Sequence, residues 1–240
     1  MTSVHRHSRA PMKLLSVNVA QPQEVEINGR PVLTGIYKQP VSHRVRLGKL
    51  TLDGDGQADL TVHGGEHQAA YAYPIEHYAH WQNVLGRDTL PHGTFGENFT
   101  TRGLLEDELR VGDIVRIGAA VVQVTMPRLP CFKFAHKVGR PEILKEFLHS
   151  GFSGFYLRVL TEGEVGAGDD ITMLERDPAG ITIRLALGLQ KLEEGDATQL
   201  RRALAIPSLA PLLRNDLEKR LAKIANAEPS ASRKKRAAQR

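Results

Sequence analysis

The hydrophobic period changes once along this chain, near residue 176, and that change limits the fold more than any other feature. Before it, apolar residues come in short runs separated by Gly, Asp and Asn. After it, they recur at helical spacing. In the first part, Val25–Ile27 and Val32–Leu33 flank Asn28-Gly29, a pair that tolerates the positive φ of a two-residue hairpin turn. Val41–Leu52 alternates, with Val41, His43, Val45 and Leu47 on one face, and reads as one strand ending at the turn Asp53-Gly54-Asp55-Gly56. Leu60–Val62, Ala69–Tyr73, Ile114–Ile117, Val121–Thr125, Phe155–Leu160 and Ile171–Leu174 read as further short strands. Many short strands between Gly-rich turns favour a barrel or sandwich over a doubly wound sheet. Two short amphipathic helices interrupt them. One starts with Pro74 at its first position, runs over Ile75–Leu85 and stops at Gly86; the other covers Glu142–Leu148 after Pro141.

The second part carries three helical segments: one from Ile183, one over Asp196–Ala205 and one over Leu209–Ala225. A helical element of residues 181–225 is too small to build a core alone. It must dock on the β domain or on a second subunit, which leaves a homodimer open. The division expected is therefore an unstructured extension over 1–11, a β domain over 12–176, a three-helix element over 181–225 and a basic, unstructured tail over 226–240.

The formal net charge of +5 belongs to the ends of the chain. Arg6, Arg9, Arg233, Lys234, Lys235, Arg236 and Arg240 carry seven positive charges with no acid among residues 1–9 and 233–240. Removing those seven from +5 leaves residues 10–232 at −2. A body of that charge argues against stable nucleic-acid binding and assigns the basic ends to solvent. The apolar runs are too short to span a bilayer, and Leu14–Ala20, broken by Asn18, is a poor secretory signal. A single cysteine forbids an intrachain disulfide, which fits a reducing cytosol, so a cytoplasmic location is expected.

That cysteine is the sharpest chemical feature. Cys131 lies in Pro127-Arg128-Leu129-Pro130-Cys131-Phe132-Lys133, where two prolines stiffen the approach and remove backbone donors. Arg128, Lys133, His136, Lys137 and Arg140 surround it in sequence, and positive charge favours a thiolate, the form that attacks or ligates. A buried structural cysteine is the competing reading. His63-Gly64-Gly65 follows an expected strand and suits either a backbone-amide anion nest or an ordinary turn. Gly96-Glu97-Asn98 offers two more side chains to a ligand. Asp53–Gly64 lacks the acidic twelfth position of a calcium loop. His77 and His80 share a helix face but lack a third zinc ligand. Trp81 reads as core.

Several motifs together resemble MOSC-domain proteins of the YiiM type. They are Lys13–Val19, Thr34–Val41, Gly54–Asp59, Val62-His63-Gly64-Gly65, Tyr73–Trp81, Phe95–Phe99, Pro127–Lys133, Gly154-Phe155-Tyr156 and Gly166–Asp169. The likeness covers about residues 12–225. It implies a mainly β fold with α: a MOSC β-barrel-like domain plus a small C-terminal three-helix element. It implies binding of the molybdenum cofactor (molybdopterin), with Cys131 as metal ligand and catalytic centre, independent of pyridoxal phosphate. Lys38, His63, Gly64, Gly65, Asn98 and Arg128 are then expected to hold the anionic pterin by charge and backbone donation. The family's Asp-Lys after His-Gly-Gly is replaced by Glu66-His67-Gln68, which removes one cation.

The activity so implied is reduction of small N-hydroxylated compounds, such as hydroxylaminopurine-type base analogues, with electrons from a separate reductase. One cysteine cannot hold an iron–sulfur cluster. The alternative is a sulfur or molybdenum cofactor carrier that uses Cys131 as persulfide or thiolate and reduces nothing. No membrane partner is expected.

Overall fold

The computed structural model describes residues 11–58, 64–192 and 194–237. Residues 1–10 of the extension expected over 1–11, the strand expected at Leu60–Val62, His63 and residues 238–240 lie outside the described residues. In chain order the described residues form β1 (Lys13–Val19), β2 (Gln23–Ile27), β3 (Arg30–Thr34), β4 (Gln39–Val41), β5 (Val45–Leu47), β6 (Ala70–Pro74), α1 (Tyr78–Leu85), β7 (Phe99–Arg102), β8 (Ile114–Ile117) and β9 (Ala120–Pro127). Then come α2 (Phe132–Val138), α3 (Ile143–Ser150), β10 (Phe155–Thr161), β11 (Gly163–Val165), β12 (Ile171–Glu175), α4 (Ile183–Leu187), α5 (Ala197–Leu204) and α6 (Pro211–Ala237).

One eight-stranded sheet runs in the order β12-β8-β9-β10-β6-β7-β1-β4. Its pairs are antiparallel except β6 with β7, which is parallel. The sheet curls until its ends meet. Leu14 N donates to Asp169 O and Ile171 N to Met12 O, both at 2.9 Å. The start of β1 thus lies against the start of β12, and the edges are closed as in a barrel. Alternation fills the interior: Phe155, Leu157 and Val159 of β10 are buried, while Tyr156, Arg158 and Leu160 are half-buried. Leu14, Val17, Phe99, Val115 and Val122 join them, each contributing about 1.5–3 kcal/mol of burial.

The C-terminal helices complete the same core. Ile183, Leu189, Leu200, Ile206, Leu213 and Leu217 are buried in one cluster with the barrel residues. Docking therefore takes place on the chain's own barrel. Side chains cap two of these helices: Thr182 accepts from Leu185 N at the start of α4, and Asp196 with Gln199 forms a capping box on α5. A second, aromatic cluster of Tyr73, Trp81, Phe95, Phe134 and Phe147 lies beneath α1, α2 and α3. The Trp81 indole donates to Tyr73 Oη at 2.6 Å, as a core tryptophan requires.

Several expectations are corrected. Val41–Leu52 is not one strand: β4 pairs with β1, whereas β5 pairs with β11 in a separate small sheet, so the chain crosses between them. Pro74 ends β6, and a 3-10 turn at Ile75–His77 precedes α1. Backbone helix continues past Ala225 to Ala237, in a segment rich in the helix formers Ala, Lys and Arg. Helix α2, directly after Cys131, had no expected counterpart. The Asn28-Gly29 hairpin forms as read, with φ of 53° and 72°.

Candidate functional site

Cys131 stands where β9 ends and α2 begins. Pro127 closes the strand, Leu129-Pro130 carry the chain across in a few residues, and Cys131 takes extended geometry as the residue capping α2. Its carbonyl accepts from Phe134 N at 2.9 Å, so the helix itself fixes the backbone of Cys131. The side chain is half-buried and lines an open cleft. The walls of the cleft come from distant parts of the sequence: Thr34 at the end of β3 with Gly35, Ile36 and Lys38, Asp55–Ala58, Gly64 and Gln68, Tyr71 of β6, Gly96 and Asn98, Arg128, and Tyr156 of β10.

Arg128 dominates the electrostatics. It is 5% exposed, and its guanidinium lies 5.0 Å from the Tyr71 ring centroid and 5.1 Å from that of Phe134. Burial alone would lower its pKa, but Tyr71, Tyr156 and Cys131 hold it above the ordinary value. Among the described residues it forms no ion pair, and Nη1 is buried without a hydrogen-bond partner. A buried cation with an unpartnered donor on a cleft wall has the chemistry to bind an anion.

Lys38 is the second buried cation, 9% exposed, with Nζ 2.5 Å from Asp55 Oδ1. Burial lowers its pKa and Asp55 opposes the shift. Lys133 lines the cleft and donates to Leu33 O at 3.2 Å. Behind the wall, Lys137 donates to Ile36 O at 2.8 Å and Gly93 O at 2.5 Å; burial brings its pKa down to about 8. Two lining segments pack backbone to backbone, which only glycine allows: a Cβ on Gly35 would lie 2.5 Å from Gly56 O.

Of the residues named from sequence, Lys38, Gly64, Asn98, Arg128 and Cys131 come together in this cleft, and His63 lies outside the described residues. Gly65 does not line it. The Gly64 amide donates to Gln68 Oε1, 3.4 Å away, so the glutamine engages the turn itself. Asn98 is saturated. It donates to Asn18 O and Asp55 Oδ2 and accepts from Tyr71 N, so it braces the walls and has no N–H left for an anion. Glu97 turns away from the cleft, fully buried among four donors. His77 pairs with Glu106 at 2.7 Å and stacks on Phe152. Among the described residues no cluster of three His, Cys, Asp or Glu could hold a metal. Sequence reasoning missed Asp55, Tyr71 and Tyr156; for Asp55 the Gly-Asp-Gly turn was visible, but its partners were not.

The MOSC domain family model matches residues 59–172. The chain is 40% identical over 197 residues to YflK of Bacillus subtilis, covering 82% of this chain and 89% of that protein. It is 32% identical over 169 residues to a protein of Gibberella moniliformis named a reductase, covering 69% of this chain but 30% of that one. The crystal structure of YiiM from Geobacillus stearothermophilus superposes with a TM-score of 0.75 at 37% identity, over 88% of this chain and 100% of that one. The chain belongs to the MOSC-domain family.

Proposed function

For this MOSC-family chain we propose a molybdenum cofactor-dependent reductase of small N-hydroxylated compounds, with Cys131 as the protein ligand to molybdenum. The observation that carries the reading is the juxtaposition of Arg128 and Cys131 in one cleft: an orphaned buried guanidinium donor beside a thiol. The residues fit the group. A soft thiolate suits molybdenum, and Arg128, Lys38 and Lys133 suit an anionic phosphate. The reductase name of the Gibberella relative supports the redox assignment.

When bound, the cofactor supplies a two-electron centre able to accept oxygen. The overall conversion, R–NHOH with two electrons and two protons to R–NH₂ and water, balances with electrons from a separate reductase. The chain's own part is to bind and orient. The helix-fixed backbone of Cys131 presents sulfur at a set point. Arg128, held over three aromatic rings, offers an N–H without reorganisation. The open mouth admits substrate and lets water leave.

The test is metal analysis and turnover of protein produced with a full supply of cofactor. Wild type should carry molybdenum and reduce an aromatic hydroxylamine with an artificial electron donor. Cys131→Ser should lose both, because a hydroxyl is a harder and less ionised ligand. A Ser variant that keeps metal and activity overturns the ligand role. Wild type that binds cofactor and reduces nothing with any donor makes the chain a carrier.

A further inference from the structure

We propose that Asp55 is a positioning residue of the cleft: it holds the Lys38 ammonium charged and in one place, giving the cleft a second anion-binding pole besides Arg128. The inference rests on the cleft binding an anion, as in the reading above, and not on the metal.

Asp55 has no capacity left to meet a ligand itself. Its Oδ1 accepts from Lys38 Nζ at 2.5 Å and Ala20 N at 2.9 Å; its Oδ2 accepts from Asn98 Nδ2 at 2.9 Å and Thr51 Oγ1 at 3.4 Å. Those four donors fill the acceptor sites of a carboxylate. Lys38 is the opposite case. One of its three protons goes to Asp55, and among the described residues Nζ makes no other hydrogen bond. Lys38 lines the cleft, so the remaining donors have the cleft open to them.

Charge decides whether those donors exist. Burial pulls the Lys38 pKa down; Asp55 first, then Glu97, pulls it back. Lys137 stands nearby with like charge. Asp55 is thus the main group that keeps a buried lysine protonated. The two cations differ in kind: a guanidinium stays charged in any surroundings, whereas an ammonium needs a counter-charge.

The test is Asp55→Asn in the full chain, purified without cofactor, with inorganic phosphate as probe. Removing the counter-charge lets burial win, so Lys38 loses its proton at lower pH and binding fails first on the alkaline side. Phosphate affinity should fall about tenfold at pH 8 and about threefold or less at pH 6. The ¹⁵N resonance of the Lys38 side chain should show the proton leaving at least about one pH unit earlier than in wild type. In a Lys38→Met background, Asp55→Asn should cost nothing further. An equal loss at both pH values, a loss that persists in the Lys38→Met background, or no loss at all overturns the proposal. Molybdenum analysis of the same variants keeps the two ideas apart. Phosphate results as expected in a chain that never takes up metal would sink the reductase and leave Asp55 standing.

Discussion

Two buried charges, about thirty residues apart in sequence, are treated in opposite ways. Glu97 is wholly inaccessible and accepts from Tyr78 Oη, from Gly93 N at 2.7 Å, from Phe95 N at 3.0 Å and from Thr100 Oγ1 at 3.0 Å. It ties the Gly93–Thr100 segment into a knot between α1 and β7. Arg128 is nearly as buried, yet it has aromatic rings around it and an N–H with nothing to bond. A charge whose hydrogen bonds are all made internally is structural. One left short of an acceptor spends folding energy on a site that binding completes. The contrast separates brace from site without reference to any relative.

The comparison breaks most plainly at Glu97. Glu97→Ala should destabilise the chain by about 3–5 kcal/mol, because four donors lose their acceptor in a dry interior. Denaturant unfolding measures this, and a loss below about 1 kcal/mol would deny that the knot is structural. Arg128→Met should do the reverse. Stability should stay within about 1 kcal/mol of wild type, since an apolar side chain suits the Tyr71–Phe134 box and removes the unpartnered Nη1, while the Tyr156 hydroxyl loses its bond to the guanidinium. Phosphate binding should weaken about tenfold to a hundredfold, the worth of a charge-assisted hydrogen bond. If Arg128→Met unfolded the chain while leaving anion affinity intact, the two charges would have exchanged roles.

A third substitution asks whether knot and site are mechanically joined. Gly93 has φ of 84°, and a Cβ there would lie 2.6 Å from the carbonyl oxygen of Lys38. Gly93→Ala should cost about 1–2 kcal/mol in backbone strain. It should also displace Lys38 and weaken phosphate binding, although residue 93 never meets a ligand. A stability loss with unchanged binding would show the two regions to be independent.

What was legible in the sequence follows the range over which each signal acts. The Asn28-Gly29 hairpin, β8, the stop of α1 at Gly86 and the helix beginning at Asp196 depend on neighbours a few residues apart, and all were readable. Cys131 stood out because two prolines and a set of cations lie beside it in the chain. The rest of the site is assembled across long separations: Lys38 to Asp55, Asn98 to Asp55, Tyr71 beside Arg128. No local pattern marks such pairs. Asp55 therefore looked like a turn residue, and Asn98 and Glu97 like open ligands when their hydrogen bonds were already committed. The single strand expected over Val41–Leu52 failed for the same reason. Its two halves pair with partners far apart in the chain, and alternation alone cannot show a change of partner.

The smallest expected effect lies where the two regions touch. Lys137 donates to the Gly93 carbonyl of the knot and to Ile36 O of the cleft wall. Burial lowers its pKa to about 8, with Arg128 and Lys38 pushing the same way and Glu97 opposing them. In the unfolded chain a lysine titrates near its ordinary value of about 10.4. Between about pH 8 and that value the unfolded state holds more protons than the folded one, so raising the pH through this window favours folding. Below pH 8 the cost of burying the charge is constant. Wild type compared with Lys137→Met should therefore show a flat stability difference from pH 6 to 7.5. From pH 8 to 9 wild type should gain about 1 kcal/mol on the variant, close to the limit for one proton per pH unit. If the difference were flat across the whole range, or ran the other way, Lys137 would be solvated or more strongly held by Glu97. Glu97 would then belong to the electrostatics of the cleft as well as to the knot.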